Sequence, residues 1–368
     1  MSARVFEFEP RGAGCGVADQ PWSGDGADAM SVSHAVEHHA AFWDAYVARH
    51  PHASGYHEWA WRRVFEQSFG HRCVYLMARE AGLVVGILPL VRIDSVLFGR
   101  TVTSLPFVNY GGVLASSRRA ADALVRAAAR SASEAQCRHV ELRHFNRQFP
   151  EMPCRQHKVT MVLPLAPGMW DIVDRKVRNQ VRKAEKSNLT VERGGSELLT
   201  AFYSVFARNM RDLGTPVYPR RFFRNVMRAF PERTRIIVVR LKDQPIAAGL
   251  FYRTGSRQEV PWASSIREHN HLCPNHLMYW HAIESAVADG CQLFDFGRST
   301  PFEGTYNFKA QWGARPTTLS WEYPFLNDGV IPDQSPKNPK YRAAIDVWRR
   351  LPLWVANAVG PWVVRNIP

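Results

Sequence analysis

Along this 368-residue chain the apolar positions keep two different spacings, and the switch between them marks out the elements. Between His34 and Arg49, Val36, Ala40, Trp43 and Val47 fall on one helical face, and a second, aromatic helix is expected over Glu58 to Phe69. Strands follow at Cys73 to Arg79 and Leu83 to Arg92, with Glu80-Ala81-Gly82 as the tight turn between them. Ser104 to Gly112 reads as a strand running into a glycine pair; a helix from Arg118 to Ala135 and a strand from His139 to Arg143 complete the unit. The same order then returns. Ile236 to Leu241, the turn Lys242-Asp243-Gln244, Ile246 to Tyr252, Glu259 to Ser265, a helix from His276 to Ala288 and a strand from Leu293 to Phe296 replay it, and Ala248-Gly249-Leu250-Phe251 lies where Val85-Gly86-Ile87-Leu88 lay. The repeat implies a pair of similar α+β domains, each a mostly antiparallel sheet with helices packed on it.

The remaining segments frame the pair. Residues 1–30, rich in Gly, Ala and Asp, keep no period and read as a disordered leader. The first domain is expected over 31–160, the second over 161–326, and a separate tail over 327–368. Between the halves a helix from Trp170 to Asn188 is two-faced. Val173, Val177, Val181 and Ala184 form its apolar stripe, and Arg175, Arg178, Arg182 and Lys186 recur on another face, where they either grip phosphates or are simply solvated. Leu213 to Pro219 is a Gly/Pro-constrained loop carrying Tyr218. In the tail, Val347, Leu351, Trp354, Ala358 and Trp362 track a helical face among Arg349, Arg350 and Arg365; this suits a helix lying in a membrane interface or one docked on the protein's own core.

Charge and cysteines narrow the setting. A net charge of +14 implies an anionic partner. The six cysteines are scattered with no C-x-x-C pair, which fits a reducing compartment; with no apolar leader or membrane-spanning run, a cytoplasmic protein is expected. No G-x-S-x-G elbow, P-loop or Rossmann fingerprint occurs, so serine hydrolase and nucleotide-hydrolysing mechanisms have no support. His269, His271, Cys273 and His276 have the right chemistry for zinc but no standard spacing, so no metal is expected. No recognised nucleic-acid module is present, and no DNA partner is expected.

Candidate chemistry gathers after the last strand of the repeat, where Phe294-Asp295-Phe296-Gly297-Arg298-Ser299 is followed by Tyr306-Asn307-Phe308-Lys309-Ala310-Gln311-Trp312-Gly313. Loops after strands are where sites concentrate. Asp295 is a carboxylate able to act as base, or else to cap Arg298; these two readings stay open.

Taken with LPFVNYGG (Leu105 to Gly112), RNQVRKAE (Arg178 to Glu185), LGTPVY (Leu213 to Tyr218), PWASS (Pro261 to Ser265), FDFGRS and the tail from Trp348 to Pro361, the chain resembles the FemAB-like branch of the GNAT acyltransferase superfamily. Within it the resemblance is to FemAB-related proteins found beside exosortase/PEP-CTERM and exopolysaccharide gene clusters. The resemblance implies tandem GNAT folds sharing one active site. It also implies an N-acyltransferase or aminoacyltransferase that takes acyl-CoA or aminoacyl-tRNA as donor substrate, with no bound cofactor, and acts on an envelope or glycan precursor. The family's Phe-Lys pair maps onto Phe308 and Lys309, Lys309 then stabilising the donor or the oxyanion, with Asp295 and Arg298 shaping the same pocket. Asn109, Tyr110, Gly111 and Gly112 would hold the acceptor, with Tyr218, Trp262, Tyr306 and Trp312 as further substrate contacts. The other reading of the same residues is a non-catalytic binding protein of an exopolysaccharide or protein-sorting system.

Overall fold

The computed structural model describes residues 30–96, 98–332 and 339–367. Residues 1–29 of the expected leader, with Cys15, and 333–338 of the expected tail lie outside the described residues. The first half runs β1 (Ser31–His34), α1 (Ala40–Arg49), α2 (Ala60–Phe69), β2 (Arg72–Cys73), β3 (Leu76–Glu80), β4 (Leu83–Leu88), β5 (Val91–Ser95), β6 (Gly99–Thr103), β7 (Leu114–Ala115), α3 (Arg118–Glu134) and β8 (His139–His144). β9 (Cys154–Pro164), α4 (Met169–Ile172) and α5 (Arg175–Lys186) lead into the second half. It comprises β10 (Leu189–Gly194), α6 (Leu199–Leu213), α7 (Arg220–Ala229), β11 (Thr234–Leu241), β12 (Gln244–Thr254), β13 (Arg257–Ser265), α8 (Pro274–Ala288), β14 (Leu293–Ser299), α9 (Gly304–Ala310) and β15 (Arg315–Leu326), and α10 (Pro339–Arg350) and α11 (Leu353–Val364) form the tail.

The repeated order is present: β3, β4, β7, α3 and β8 correspond to β11, β12, β13, α8 and β14. The two halves nonetheless share their sheet. One sheet of eleven strands runs β10-β11-β12-β13-β14-β9-β15-β8-β6-β5-β2, and a second of four runs β1-β3-β4-β7. β9 leaves the first half and pairs antiparallel with β14, while β15, the last strand of the second half, lies between β9 and β8. The expected boundary at 160/161 therefore falls inside a strand.

Local chemistry explains where the elements depart from the sequence reading. Residues Ser31–His34 are not helical; they pair with β3, and the helix begins only at Ala40. The expected strand Leu83 to Arg92 is split at Pro89, which lacks the N–H a ladder needs, and the chain passes there from the smaller sheet into the larger. Ser104 to Gly112 is loop rather than strand, because Leu105 (φ 53°) and Phe107 (φ 70°) leave the extended region. The helix expected over Trp170 to Asn188 breaks at Val173-Asp174: Asp174 turns extended and its carboxylate accepts from Lys176 N at 2.7 Å, capping a new helix.

Three apolar clusters hold these layers. One packs α3 on the first-half sheet and another packs α5 and α8 on the second. The third is aromatic and joins the halves: Trp43, Trp61, Phe65 and Phe69 from α1 and α2 meet Phe202, Phe222 and Phe223 from α6 and α7. Each such ring, fully buried, stabilises by about 1.5–3 kcal/mol, so this seam holds the halves at a fixed spacing. A bidentate ion pair from Arg233 to Glu58 closes its edge. The tail helices pack on α6, burying Ala356, Gly360 and Val364, while Trp354 (75 % exposed), Trp362 (61 %) and Val347 (62 %) face outward.

Candidate functional site

β13 and β14 are parallel neighbours only over Arg257–Glu259 and Leu293–Asp295, and beyond that register they separate. The separation is built into the sequence Asp295-Phe296-Gly297. Asp295 Oδ1 accepts from Gly297 N (2.8 Å) and from Thr160 Oγ1 (2.6 Å), and the register with β9 slips between Asp295 and Arg298. Gly297 has φ +73°, and a Cβ there would lie 2.9 Å from the Val260 carbonyl oxygen, so only glycine lets the strand turn away at this point.

At the foot of the split, Glu259 and Asp295 are register partners, both buried. Asp295 is fully enclosed; its Oδ2 accepts from Tyr110 Oη at 3.2 Å, with Arg257 Nη1 at 3.5 Å. Glu259 Oε1 accepts from Tyr56 Oη (2.7 Å) and Asn109 Nδ2 (2.5 Å). Burial, and then the neighbouring Asp295 charge, push the Glu259 carboxyl up to about 8. Burial and the two carboxylates also raise the Tyr110 hydroxyl well above its usual value, keeping it a donor. Glu259 is absent from the sequence-derived candidates, although an acid immediately before the apolar run Val260-Pro261-Trp262 was the one signal available.

Lys309, on α9, is 7 % exposed and donates from Nζ to the carbonyls of Gly297 (2.9 Å) and Arg298 (3.0 Å). Burial lowers its ammonium to about 7; Asp295 raises it and Arg298 lowers it further. Burial and Arg143 bring Arg298 down to about 10. Its guanidinium lies 5.6 Å from the centre of the Trp321 ring, which Arg143 approaches at 4.5 Å, and Arg298 Nη1 is buried with no hydrogen-bond partner among the described residues. Phe308 and Trp312 pack with Tyr279, Phe296 and His276 beside the split. Tyr306 packs at a tilt against Phe302.

A cavity of about 590 Å³ opens from the other side of the carboxyl pair, between the halves. Tyr110, Gly111, Gly112, Arg257 and Glu259 line its inner end, and His50, His52 and Arg118 its mouth. Gly112 is required there by His144: a Cβ would fall 1.9 Å from the imidazole Cδ2. That ring accepts from Val113 N at Nε2 (3.0 Å), which leaves the proton on Nδ1 to be donated to Glu322 Oε2 (2.6 Å).

The structure thus brings Asn109, Tyr110, Asp295 and, through Gly297 and Arg298, Lys309 into one connected group. It separates others from it. Trp262 packs edge-on against Phe222 and Phe223 in the aromatic core. Tyr218 packs against Phe107 and Phe222. Arg175, Arg178, Arg182 and Lys186 lie on α5 and do not line the cavity; Arg178 turns to the Trp170 carbonyl (3.5 Å) and Arg182 lies over the Trp170 ring. Cys273 Sγ contacts Gln180 Oε1 at 2.6 Å, and His276 packs among aromatics.

Comparison with known proteins bears on this arrangement. A family model for an acetyltransferase (GNAT) domain matches residues 173–310. The solved structure of FemX superposes with a TM-score of 0.59 at 16 % identity, over 81 % of this chain and 98 % of that one. The fold is the GNAT fold. A tandem GNAT protein from the clavulanic acid biosynthesis pathway aligns at TM-score 0.50 and 11 % identity, over 80 % of this chain and 98 % of that one. The C-terminal DUF2156 domain of a protein from Agrobacterium fabrum, named for lysylphosphatidylglycerol synthetase, aligns at 0.51 and 10 %, over 73 % and 88 %. No curated protein matches the chain in sequence. In GNAT terms each half has a split sheet, between β7 and β8 in the first and between β13 and β14 in the second, and the cavity enters at the first split and ends at the second.

Proposed function

We propose that the chain is an N-acyltransferase or aminoacyltransferase acting on an amine acceptor in cell-envelope or exopolysaccharide biosynthesis. The observation that carries this reading is the cavity between the halves reaching Glu259, one of the buried carboxyl pair at the foot of the β13/β14 split. The donor, an acyl-CoA or an aminoacyl-tRNA, takes the β13/β14 side with Phe308 and Trp312, where Lys309 holds the β14 carbonyls and supplies a cation near the reacting carbonyl. The acceptor takes the cavity, with Asn109, Tyr110, Gly111 and Gly112 at its inner end. Both donors are anionic, and the exposed Arg175, Arg182 and Lys186 of α5 offer them a basic approach surface. The FemX and lysylphosphatidylglycerol synthetase fold neighbours support an envelope setting by their names. The FemAB-related, exosortase-associated group remains the family proposed for the chain.

The protein works at the cytoplasmic face of the inner membrane. No described helix is long and apolar enough to cross a membrane, and contact is assigned to the outward face of the tail, Val347, Trp354 and Trp362 beside Arg349 and Arg350.

The test is a donor screen on purified protein: thermal shift and label transfer with acetyl-CoA, longer acyl-CoAs and charged tRNAs, wild type beside Lys309→Ala. A donor that stabilises the fold and is turned over by wild type only is the expected result. A binding protein without catalysis is the second reading, favoured by the internal satisfaction of both Asp295 oxygens. It prevails if Lys309→Ala leaves the cellular phenotype intact while deletion of 341–368 abolishes it.

A further inference from the structure

The cavity ends on a carboxyl that none of the roles above employs. Glu259 lines it, and both of its hydrogen bonds among the described residues, from Tyr56 and Asn109, end on Oε1. Its partner is committed elsewhere. Asp295 holds Thr160 and Gly297 on one oxygen and Tyr110 on the other, with Arg257 at ion-pair distance. Two adjacent carboxyls in such different surroundings divide into a structural anchor and a proton carrier. Resting on the transferase reading above, we propose that Glu259 is the catalytic base, its Oε2 taking the proton of a primary amine held in this cavity, while Asp295 fixes Tyr110 and Arg257.

The step balances without a further reagent. The amine lone pair forms the C–N bond to the acyl carbon as the carbonyl π pair moves onto oxygen, and the N–H proton passes to Glu259. Collapse of the tetrahedral intermediate breaks the C–S bond of a thioester or the C–O bond of an aminoacyl ester, and Glu259 returns the proton to the departing thiolate or alkoxide. The products are an amide and a thiol or alcohol.

The titration of Glu259 suits the task. Burial and Asp295 raise it to about 8, within the range where a base is both free and effective. Hydrogen bonds from Tyr56 and Asn109, and the Arg257 charge, pull the other way. Tyr110 also faces the pair, and His57 and His144 line the same cavity; burial lowers His57 to about 3, so it is neutral throughout the working range.

The experiment uses the purified full chain with acetyl-CoA and a mixture of charged tRNAs as donors, and glucosamine and lysinamide as amine probes. It measures kcat/KM against pH for wild type, Glu259→Gln and Tyr56→Phe, with thermal melting to confirm folding. Wild-type kcat/KM should rise with pH through about 8. Glu259→Gln should lower kcat by about 100- to 10,000-fold with little change in KM, and lose that limb. Tyr56→Phe removes a hydrogen bond favouring the ionised carboxyl, so its limb should move to higher pH; a limb set by the amine's own titration would stay. If Glu259→Gln retains wild-type kcat and limb, the base assignment is overturned and the transferase reading stands. If wild type turns over no donor, both fall. Should Glu259→Gln fail to fold, a stationary limb in Tyr56→Phe overturns the assignment by itself.

Discussion

Lys309 is buried at a cost that pH can expose. Its folded pKa, about 7, lies below the usual lysine value of 10.5, so between those values the unfolded chain carries a proton the folded one lacks. Stability therefore rises with pH across that window and is flat below it. Lys309→Met lacks the titration but leaves the Gly297 and Arg298 carbonyls without their donor, a loss of about 1–3 kcal/mol. In urea unfolding the variant should be the weaker protein at pH 9 to 10, with the gap narrowing toward pH 7; a constant gap would show that Lys309 does not titrate there. At this scale the sequence pointed to half of the residues that the fold gathers into the candidate site. Asp295 and Lys309 stand out in a loop-rich stretch, whereas Glu259 and Thr160 sit in segments that read as ordinary strand and Tyr56 in a polar Ser-Gly-Tyr-His turn, and only the fold brings them together.

Among the elements, Gly112 and Gly297 define the path of the backbone around the site. Gly112→Ala would drive a methyl into His144, the ring that links β8 to Glu322 of β15, and should destabilise by about 1–3 kcal/mol. Gly304→Ala, where nothing lies within 4 Å of the new methyl, serves as the control and should be neutral or slightly stabilising in the same denaturation assay. Equal midpoints for the two variants would refute the crowding argument. The period of the chain located most elements because each is amphipathic on its own. It failed at Pro89, at Leu105 and Phe107, and at Asp174, where a single residue's backbone preference or cap outweighs the pattern around it.

For the whole molecule, the repeat was legible in the order of elements, but the exchange of β9 and β15 between the halves was not. Which strand a strand chooses as neighbour depends on contacts far apart in sequence, and both strands carry patterns that suit either half. The exchange, with the shared aromatic seam, ties the halves into one cooperative unit. A single calorimetric transition with equal van't Hoff and calorimetric enthalpies is expected, and a fragment of residues 161–326, which lacks most of β9 and all of β8, should not fold by itself. Two resolved transitions would contradict this. The tail's outward face is tested at the same scale: wild type should sediment with phosphatidylglycerol vesicles and much less with phosphatidylcholine ones, and Trp354→Ser/Trp362→Ser should abolish the difference.

The strand exchange also sets a timetable for the ribosome. β9 is complete about 150 residues before β15 begins to emerge, and it needs β15 on one side and β14 on the other. At roughly 5–20 residues per second, its open edges wait on the order of ten to thirty seconds for their partners. Nascent chains of this protein should therefore depend on holding chaperones for longer than a protein of equal length whose two domains close in turn, and slow codons between β9 and β15 would lengthen that exposure and lower the soluble yield.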